Sequence, residues 1–247
     1  MILHGLLGSS RNWQTVGAEL ASTHHVFSVD LRNHGGSPHA DLNDYSAMEG
    51  DLAQWLDTQA LPRAALLGHS MGGKLAMAFA CHKPERVTQL VVVDIAPRDY
   101  RYDRFAEYFA AMAALDPATL SSRAEAEQRL GERIKDWGML KFLATNLERD
   151  AQGKFSWRVN VTALQAELAE IAQNSLGPDE RFAGPTLFVV GGKSTHVRPE
   201  DHAAIHEHFP QVRIETLPES GHNPHIEDRA AFVQVVQGFL VRAGKGA

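Results

Sequence analysis

Residues 66 to 77 read LLGHSMGGKLAM. A short apolar run stops at Gly68, and from Met71 onward Met, Leu and Ala give a stretch of high helix propensity. Between them stands Gly-His-Ser-Met-Gly, which places Ser70 on a sharp strand-to-helix turn. A serine so placed is held in a strained backbone conformation and lifted clear of the sheet. Gly68 and Gly72 flank it because a Cβ at either place would collide within the crowded turn. Ser70 is therefore the candidate nucleophile, and His69 beside it is read as a packing residue.

Outward from this turn, short β-branched runs alternate with helical stretches, the pattern of βα units in a parallel sheet. Strands are predicted at Met1 to Leu3, Val26 to Asp30, Ala64 to Leu67, Leu90 to Asp94, Pro185 to Val190 and Val212 to Leu217. Between Pro97 and about Arg181 the pattern turns to helices only: Phe105, Tyr108, Phe109, Met112 and Leu115 recur at helical spacing, and Ser122 with Glu125 forms a capping box. The expected organisation is a core of residues 1–97 and 181–247 with a helical lid at 98–180 inserted in it. An amphipathic helix from about Ile226 to Val241 closes the chain. Because MILHG opens on what reads as a core strand, an N-terminal hairpin present in longer relatives is expected to be absent.

Length and charge narrow the function. A chain of 247 residues, 44% hydrophobic, can bury one large α/β core. Lys plus Arg number 24 against 30 Asp plus Glu, a net charge of −6 with no basic stripe, which argues against a nucleic-acid partner. No apolar run approaches a membrane span and no leader pattern opens the chain, and the single cysteine, Cys81, cannot form an internal disulfide. The expectation is a cytoplasmic protein with no membrane partner, in which Cys81 is a small core residue.

Two further motifs complete a candidate site. LHGLLGSSRNW, residues 3 to 13, carries His4-Gly5 at a strand end, where the loop can aim the Leu6 N–H at the site. With the Met71 N–H this makes a two-donor oxyanion hole. His4 is read as a brace for that loop and Trp13 as packing bulk. SGHNPHIE, residues 220 to 227, places His222 after Gly221 in the loop following the last strand, where a general base can turn over the nucleophile; His225 is the reserve. His202, His206 and His208 have metal-like spacing but lack the glutamate of H-E-x-x-H, and are read as a solvated face with no metal.

His4-Gly5, DLRNHGGS at 30 to 37, GHSMGG at 68 to 73 and Gly221-His222 occur in an order that resembles the α/β-hydrolase esterases, over essentially the whole chain outside the lid. VVVDIAP at 91 to 97 and FSWRVN at 155 to 160 are similar to the small bacterial YbfF-type esterases. That resemblance implies hydrolysis of short acyl esters and binding of acyl thioesters, with no metal or organic cofactor. Ser70 would attack an acyl carbonyl and His222 would take and return the proton. The same scaffold also serves cofactor-free lyases, C–C hydrolases, perhydrolases and ligand-binding receptors with slow turnover. An elbow serine argues against epoxide hydrolase or dehalogenase chemistry, which uses Asp there.

The acid that supports His222 is the open point. In this fold it commonly follows the strand ending at Val190, yet FVVGGKSTHVRPED, residues 188 to 201, puts Ser194 there. His222 must fold back from the last strand over two intervening strand tops, and the nearer to Ser70 ends in Asp94. Asp94 is the preferred acid, as the YbfF resemblance also implies; Asp201 and Glu200 are its rivals. Tyr100, Tyr102, Phe105, Tyr108, Phe109, Phe142, Phe155 and Trp157 are expected either to wall a small acyl pocket or to fix the lid to the core.

Overall fold

A computed structural model describes residues 1–243. From the N-terminus, β1 (Ile2–Leu3) leads through a loop to α1 (Gln14–Leu20), and β2 (Ser28–Val29) leads to α2 (Tyr45–Thr58). Next, β3 (Ala64–His69) turns directly into α3 (Met71–His82), followed by β4 (Val87–Val93). A long segment then carries α4 (Asp103–Ala113), α5 (Arg123–Gly131), α6 (Trp137–Ala144), β5 (Leu147–Arg149), β6 (Phe155–Trp157), α7 (Val161–Ala166) and α8 (Leu168–Ala172). The chain returns with β7 (Thr186–Gly191), α9 (His202–His208), β8 (Val212–Leu217), α10 (Pro224–Glu227) and α11 (Arg229–Ala243).

Six of these strands form one sheet in the order β2-β1-β3-β4-β7-β8, every neighbouring pair parallel. Parallel strands buried on both faces read as continuous apolar runs, as Leu90 to Val93 of β4 and Leu187 to Val190 of β7 do. One face packs α3 and the long segment around Leu66, Phe79, Leu90 and Phe188; the other packs α1 and α11 around Trp13, Val91, Leu187 and Phe232. From Met71 to Ala80 α3 is buried throughout, which is why its run of Ala, Gly and Met has no polar face. None of the helices among the described residues is long and apolar enough to cross a membrane.

The predicted strands all form; Val212 to Leu217 keeps its expected bounds and the others shift at their ends. The expected Val26 to Asp30 strand shrinks to two residues at the sheet edge, and β4 begins three residues before Leu90 and stops one short of Asp94. The segment between β4 and β7 is not helical throughout: Leu147 to Arg149 pairs antiparallel with Phe155 to Trp157. The Gly153 turn, at φ +85°, closes this hairpin, and its six strand residues are too few to carry a helical period. Ser122 does cap α5, accepting from Glu125 N–H, but the Glu125 carboxylate reaches back to Ser121 rather than to Ser122. The predicted closing helix is broken at Asp228 into α10 and α11, and Ile226 is exposed.

Lys74 ties the long segment to the elbow helix. Fully buried on α3, its Nζ donates to the carbonyls of Ile171, Ala172 (2.9 Å) and Gln173 at the end of α8, and lies 4.9 Å from the centre of the Tyr100 ring. Those carbonyls have no further helical turn to bond, so a cation there satisfies them and meets the negative end of the helix. Burial pushes the amine down to about 7, with Asp99 opposing and Arg98 adding to the shift. The folded protein thus releases this proton near pH 7, whereas the unfolded chain keeps it to about 10.5. In that window the unfolded state binds more protons, so stability rises with pH. Urea unfolding from pH 7 to 10 should show the wild type gaining stability relative to Lys74→Met by on the order of a few kcal/mol; parallel pH profiles would contradict this account of Lys74.

Candidate active site

The site lies at the C-terminal ends of the strands. In register, Gly68 pairs with Val92, His69 with Val93, and Val93 with Val189, so Ser70 and Asp94 emerge side by side at neighbouring strand tips. Ser70 N–H donates to Val93 O, and Asp94 N–H to Val189 O. Both residues sit in the left-handed region, Ser70 at φ +52° and Asp94 at φ +49°, a conformation that costs on the order of 1–3 kcal/mol for a non-glycine residue and concentrates at functional sites. The turn around Ser70 has no room for side chains: a Cβ on Gly68 would lie 2.1 Å from Gly72 O, and one on Gly72 2.4 Å from Leu3 O.

His222 reaches the site from the loop after β8, crossing the tops of β7 and β4. Its Nδ1 is 2.8 Å from Asp94 Oδ2. A carboxylate accepts only, so Nδ1 carries the proton and Nε2 presents the lone pair. Asp94 is fully buried: Oδ1 accepts from Gly191 N–H at 3.0 Å, and Oδ2 accepts from both His222 and the Ser194 hydroxyl. The serine at the customary acid position is therefore a hydrogen-bond donor to the carboxylate on the neighbouring strand. The rivals are engaged elsewhere. Asp201 pairs with Arg98 at 3.1 Å and accepts Arg198 N–H at 2.8 Å, while Glu200 lies 3.7 Å from Arg198.

A cavity of about 400 Å³ is lined by Ser70, His222, Gly5, Leu6 and Trp13 together with Phe105, Met139 and Phe142. The Leu6 and Met71 N–H groups take no backbone acceptor among the described residues. Two buried histidines hold the loop that carries Leu6. His4 Nδ1 donates to Gly5 O while Nε2 accepts Leu31 N–H; His34 Nδ1 donates to Arg32 O while Nε2 accepts Leu7 N–H. Leu7 itself is at φ +61°. Burial pushes both imidazoles down, His34 to about 3, so they stay neutral and can accept. This is the work of DLRNHGGS: Asp30 takes the N–H groups of Ser10 and Gly36, and His34 fastens Leu7.

The remaining candidates sort plainly. His69 donates Nε2–H to His222 O and packs between His222 and His225. His225, the reserve base, is buried and stacked on Trp13 at 4.0 Å, and burial pushes it down to about 3. Trp13 both packs and faces the cavity, more than its reading as packing bulk foresaw. Of the eight aromatics expected to wall the pocket or fix the lid, Phe105 and Phe142 line the cavity, and the Tyr102 phenol, pushed up to about 12 mainly by burial, lies against the Ser70 hydroxyl; Tyr108, Phe109 and Phe155 are core. His208 is not on a solvated face: it is buried and donates to Glu180 O at 2.7 Å, while His202 and His206 stay accessible. Burial pushes the Cys81 thiol up to about 12, in keeping with a packing role.

One residue the sequence did not single out stands at the centre: His196, whose ring stacks on His222 at 3.6 Å and 15°. Its only signal was a second imidazole two positions after Ser194. Ligand atoms of Asp94, His196 and His222 lie within 4.8 Å of one another. Stacked rings direct their in-plane lone pairs in parallel rather than toward a point, and His222 Nδ1 already donates to Asp94, so the trio is a hydrogen-bonded cluster and not a chelate.

Strained serine, buried Asp–His pair and parallel sheet are those of an α/β hydrolase, and the chain belongs to the Alpha/beta hydrolase family, matching it over residues 1–235. Several of its relatives are named as esterases or lipases. It is 39% identical to the mouse sn-1-specific diacylglycerol lipase ABHD11 over 97% of this chain and 80% of that one. It is 33% identical to Escherichia coli esterase YbfF, over 97% and 92% respectively. A solved marine microorganism esterase superposes with a TM-score of 0.93 at 35% identity, covering 96% of this chain and 93% of its own.

Gly191 tests the packing that holds His222 in place. A Cβ there would lie 1.9 Å from Gly221 O, directly before His222, and the same residue donates to Asp94. Gly191→Ala should lower esterase kcat at least about 10²-fold with circular dichroism preserved. Gly50→Ala, where nothing lies within 4 Å, should leave the rate alone. Equal rates for both variants would show that the loop tolerates displacement.

Proposed function

We propose that this protein hydrolyses carboxylic esters of short acyl groups, and acyl thioesters, through a Ser70–His222–Asp94 triad. The observation that carries the reading is the 2.8 Å contact of His222 Nδ1 with a buried Asp94, in a cavity shared with a serine held at φ +52°. His222 Nε2 takes the Ser70 proton as Oγ adds to the carbonyl carbon. The oxyanion is met by the N–H groups of Leu6 and Met71. As the tetrahedral adduct collapses, His222 returns the proton to the leaving alkoxide or thiolate. Water, deprotonated by the same ring, then releases the acid and restores Ser70. No step draws on a metal or an organic cofactor.

The cavity favours short chains: about 400 Å³ lined in part by Phe105, Met139 and Phe142 suits a small acyl group. A glycerolipid substrate is the second reading, favoured by the relative named as a diacylglycerol lipase and by Trp137 and Ile226, 72% and 61% exposed beside the cavity. A screen of p-nitrophenyl and acyl-CoA esters of graded length decides between them. Acetyl to hexanoyl substrates should turn over faster than palmitoyl, and the reverse order would move the assignment to lipid. Stoichiometric ligand binding without turnover of any activated ester would instead point to a receptor.

Ser70→Ala should abolish turnover and organophosphonate labelling while the protein stays folded. For the acid, Asp94→Asn should lower kcat by about 10³ to 10⁴, because the ring loses its orienting partner. Asp201→Asn should retain the wild-type mechanism, since that carboxylate serves Arg98. The opposite pattern would transfer the acid role to Asp201.

A further inference from the structure

Fixing a base takes more than one hydrogen bond. The contact from His222 Nδ1 to Asp94 sets where the ring is anchored but leaves its plane free to turn about the hydrogen-bond axis. Nε2 must nevertheless point at Ser70, and small errors of aim are costly in rate. The loop backbone is held, Gly221 N–H donating to Glu227 Oε2 at 2.7 Å and His222 O accepting from His69, but these bonds fix the main chain and not the rotation of the ring about its side-chain bonds.

The missing restraint is a flat neighbour. The His196 ring lies over His222 with centroids 3.6 Å apart and planes 15° from parallel, and the Tyr100 ring is also nearly parallel to His196, 5.9 Å away at 23°. His196 is pinned at both backbone groups. Its N–H donates to Ser194 Oγ at 3.1 Å, and its carbonyl accepts from Tyr100 Oη at 2.6 Å and Arg98 Nη2 at 3.2 Å. Tyr100 is held in turn by Ala96 N–H, and Arg98 by Asp201. The plate against His222 is thus fastened to the segment after β4 and to the loop after β7.

We infer that His196 is a positioning residue for the base, fixing the plane of the His222 imidazole by stacking and taking no proton in the reaction. Its Nδ1 is 3.9 Å from Asp94 Oδ2, beyond hydrogen-bond reach, and it does not line the cavity that would hold substrate. Burial, followed by the neighbouring His222, pushes it down to about 4, so at neutral pH it is an uncharged plate that does not repel the imidazolium formed during turnover. The inference rests on the triad reading given above.

The test is steady-state hydrolysis of p-nitrophenyl acetate by His196→Ala, His196→Leu and His196→Phe. Loss of the plate in H196A and H196L should lower kcat about 10-fold with KM little changed, and H196F should recover most of the rate because it restores a flat ring without a nitrogen. The low-field proton resonance of the Asp94–His222 hydrogen bond should broaden in H196A and H196L and persist in H196F. Wild-type kcat in H196A or H196L overturns the inference, as does H196F impaired as severely as H196L, which would assign the role to the imidazole nitrogens. A failure of H196A to fold leaves the comparison of H196L with H196F decisive. His222→Ala separates the two levels: if it keeps turnover the triad reading has failed, whereas its inactivity together with a wild-type H196L refutes only the stacking role.

Discussion

A single buried carboxylate organises the top of this sheet. Asp94 has no exposed surface, and each of its oxygens is committed: one to the Gly191 N–H, the other to His222 and Ser194. Burying such a group is tolerable only when its acceptor sites are filled. Those three donors come from the end of β7 with the loop directly after it and from the loop after β8, so satisfying Asp94 draws two separate parts of the chain to the end of β4. The close approach of Gly191 to Gly221, the left-handed turn at Asp94 and the position of His222 all follow from that requirement.

A second set of constraints acts on the other side of Ser70. The Leu6 loop has a left-handed residue at Leu7 and a pair of neutral histidines beneath it, each giving one hydrogen bond and accepting another. Neutrality is what lets a ring nitrogen accept a backbone N–H, and burial of His4 and His34 enforces it. The segment between β4 and β7 is fastened to the same region: Asn146 Nδ2 donates to Leu7 O, and Lys74 takes the carbonyl end of α8. The donors proposed for the oxyanion and the wall of the cavity are therefore parts of one braced assembly.

Much of this was legible residue by residue. Gly68 and Gly72 signalled a crowded turn, and the clearances around them explain why no side chain fits there. His222 and the two proposed donor positions were readable because each sits at a fixed offset from a strand end. Legibility failed where partners are distant in sequence. Ser194 read as the loss of a carboxylate, when it is 100 residues from the Asp94 it hydrogen-bonds. His208 read as surface because helical spacing does not reveal a carbonyl 28 residues earlier. His196 drew no reading from the sequence, although its ring covers His222. The β5–β6 hairpin escaped notice because three-residue strands carry too little period to stand out among helices.

By itself the sequence determined the alternation of strand and helix, the strained turn at Ser70 and the loop that carries His222, because each depends on conformational preferences within a few neighbouring residues. Only the tertiary structure decided which carboxylate meets His222. Asp94, Ser194 and Asp201 all follow strands or open helices at the same edge, and local sequence ranks them poorly. Their separation in space depends on sheet order and register: β4 lies between β3 and β7, Val93 pairs with His69 on one side and Val189 on the other, and the chain turns left-handed immediately after. That turn brings the Asp94 carboxylate under the histidine, while the salt bridge to Arg98 holds Asp201 away.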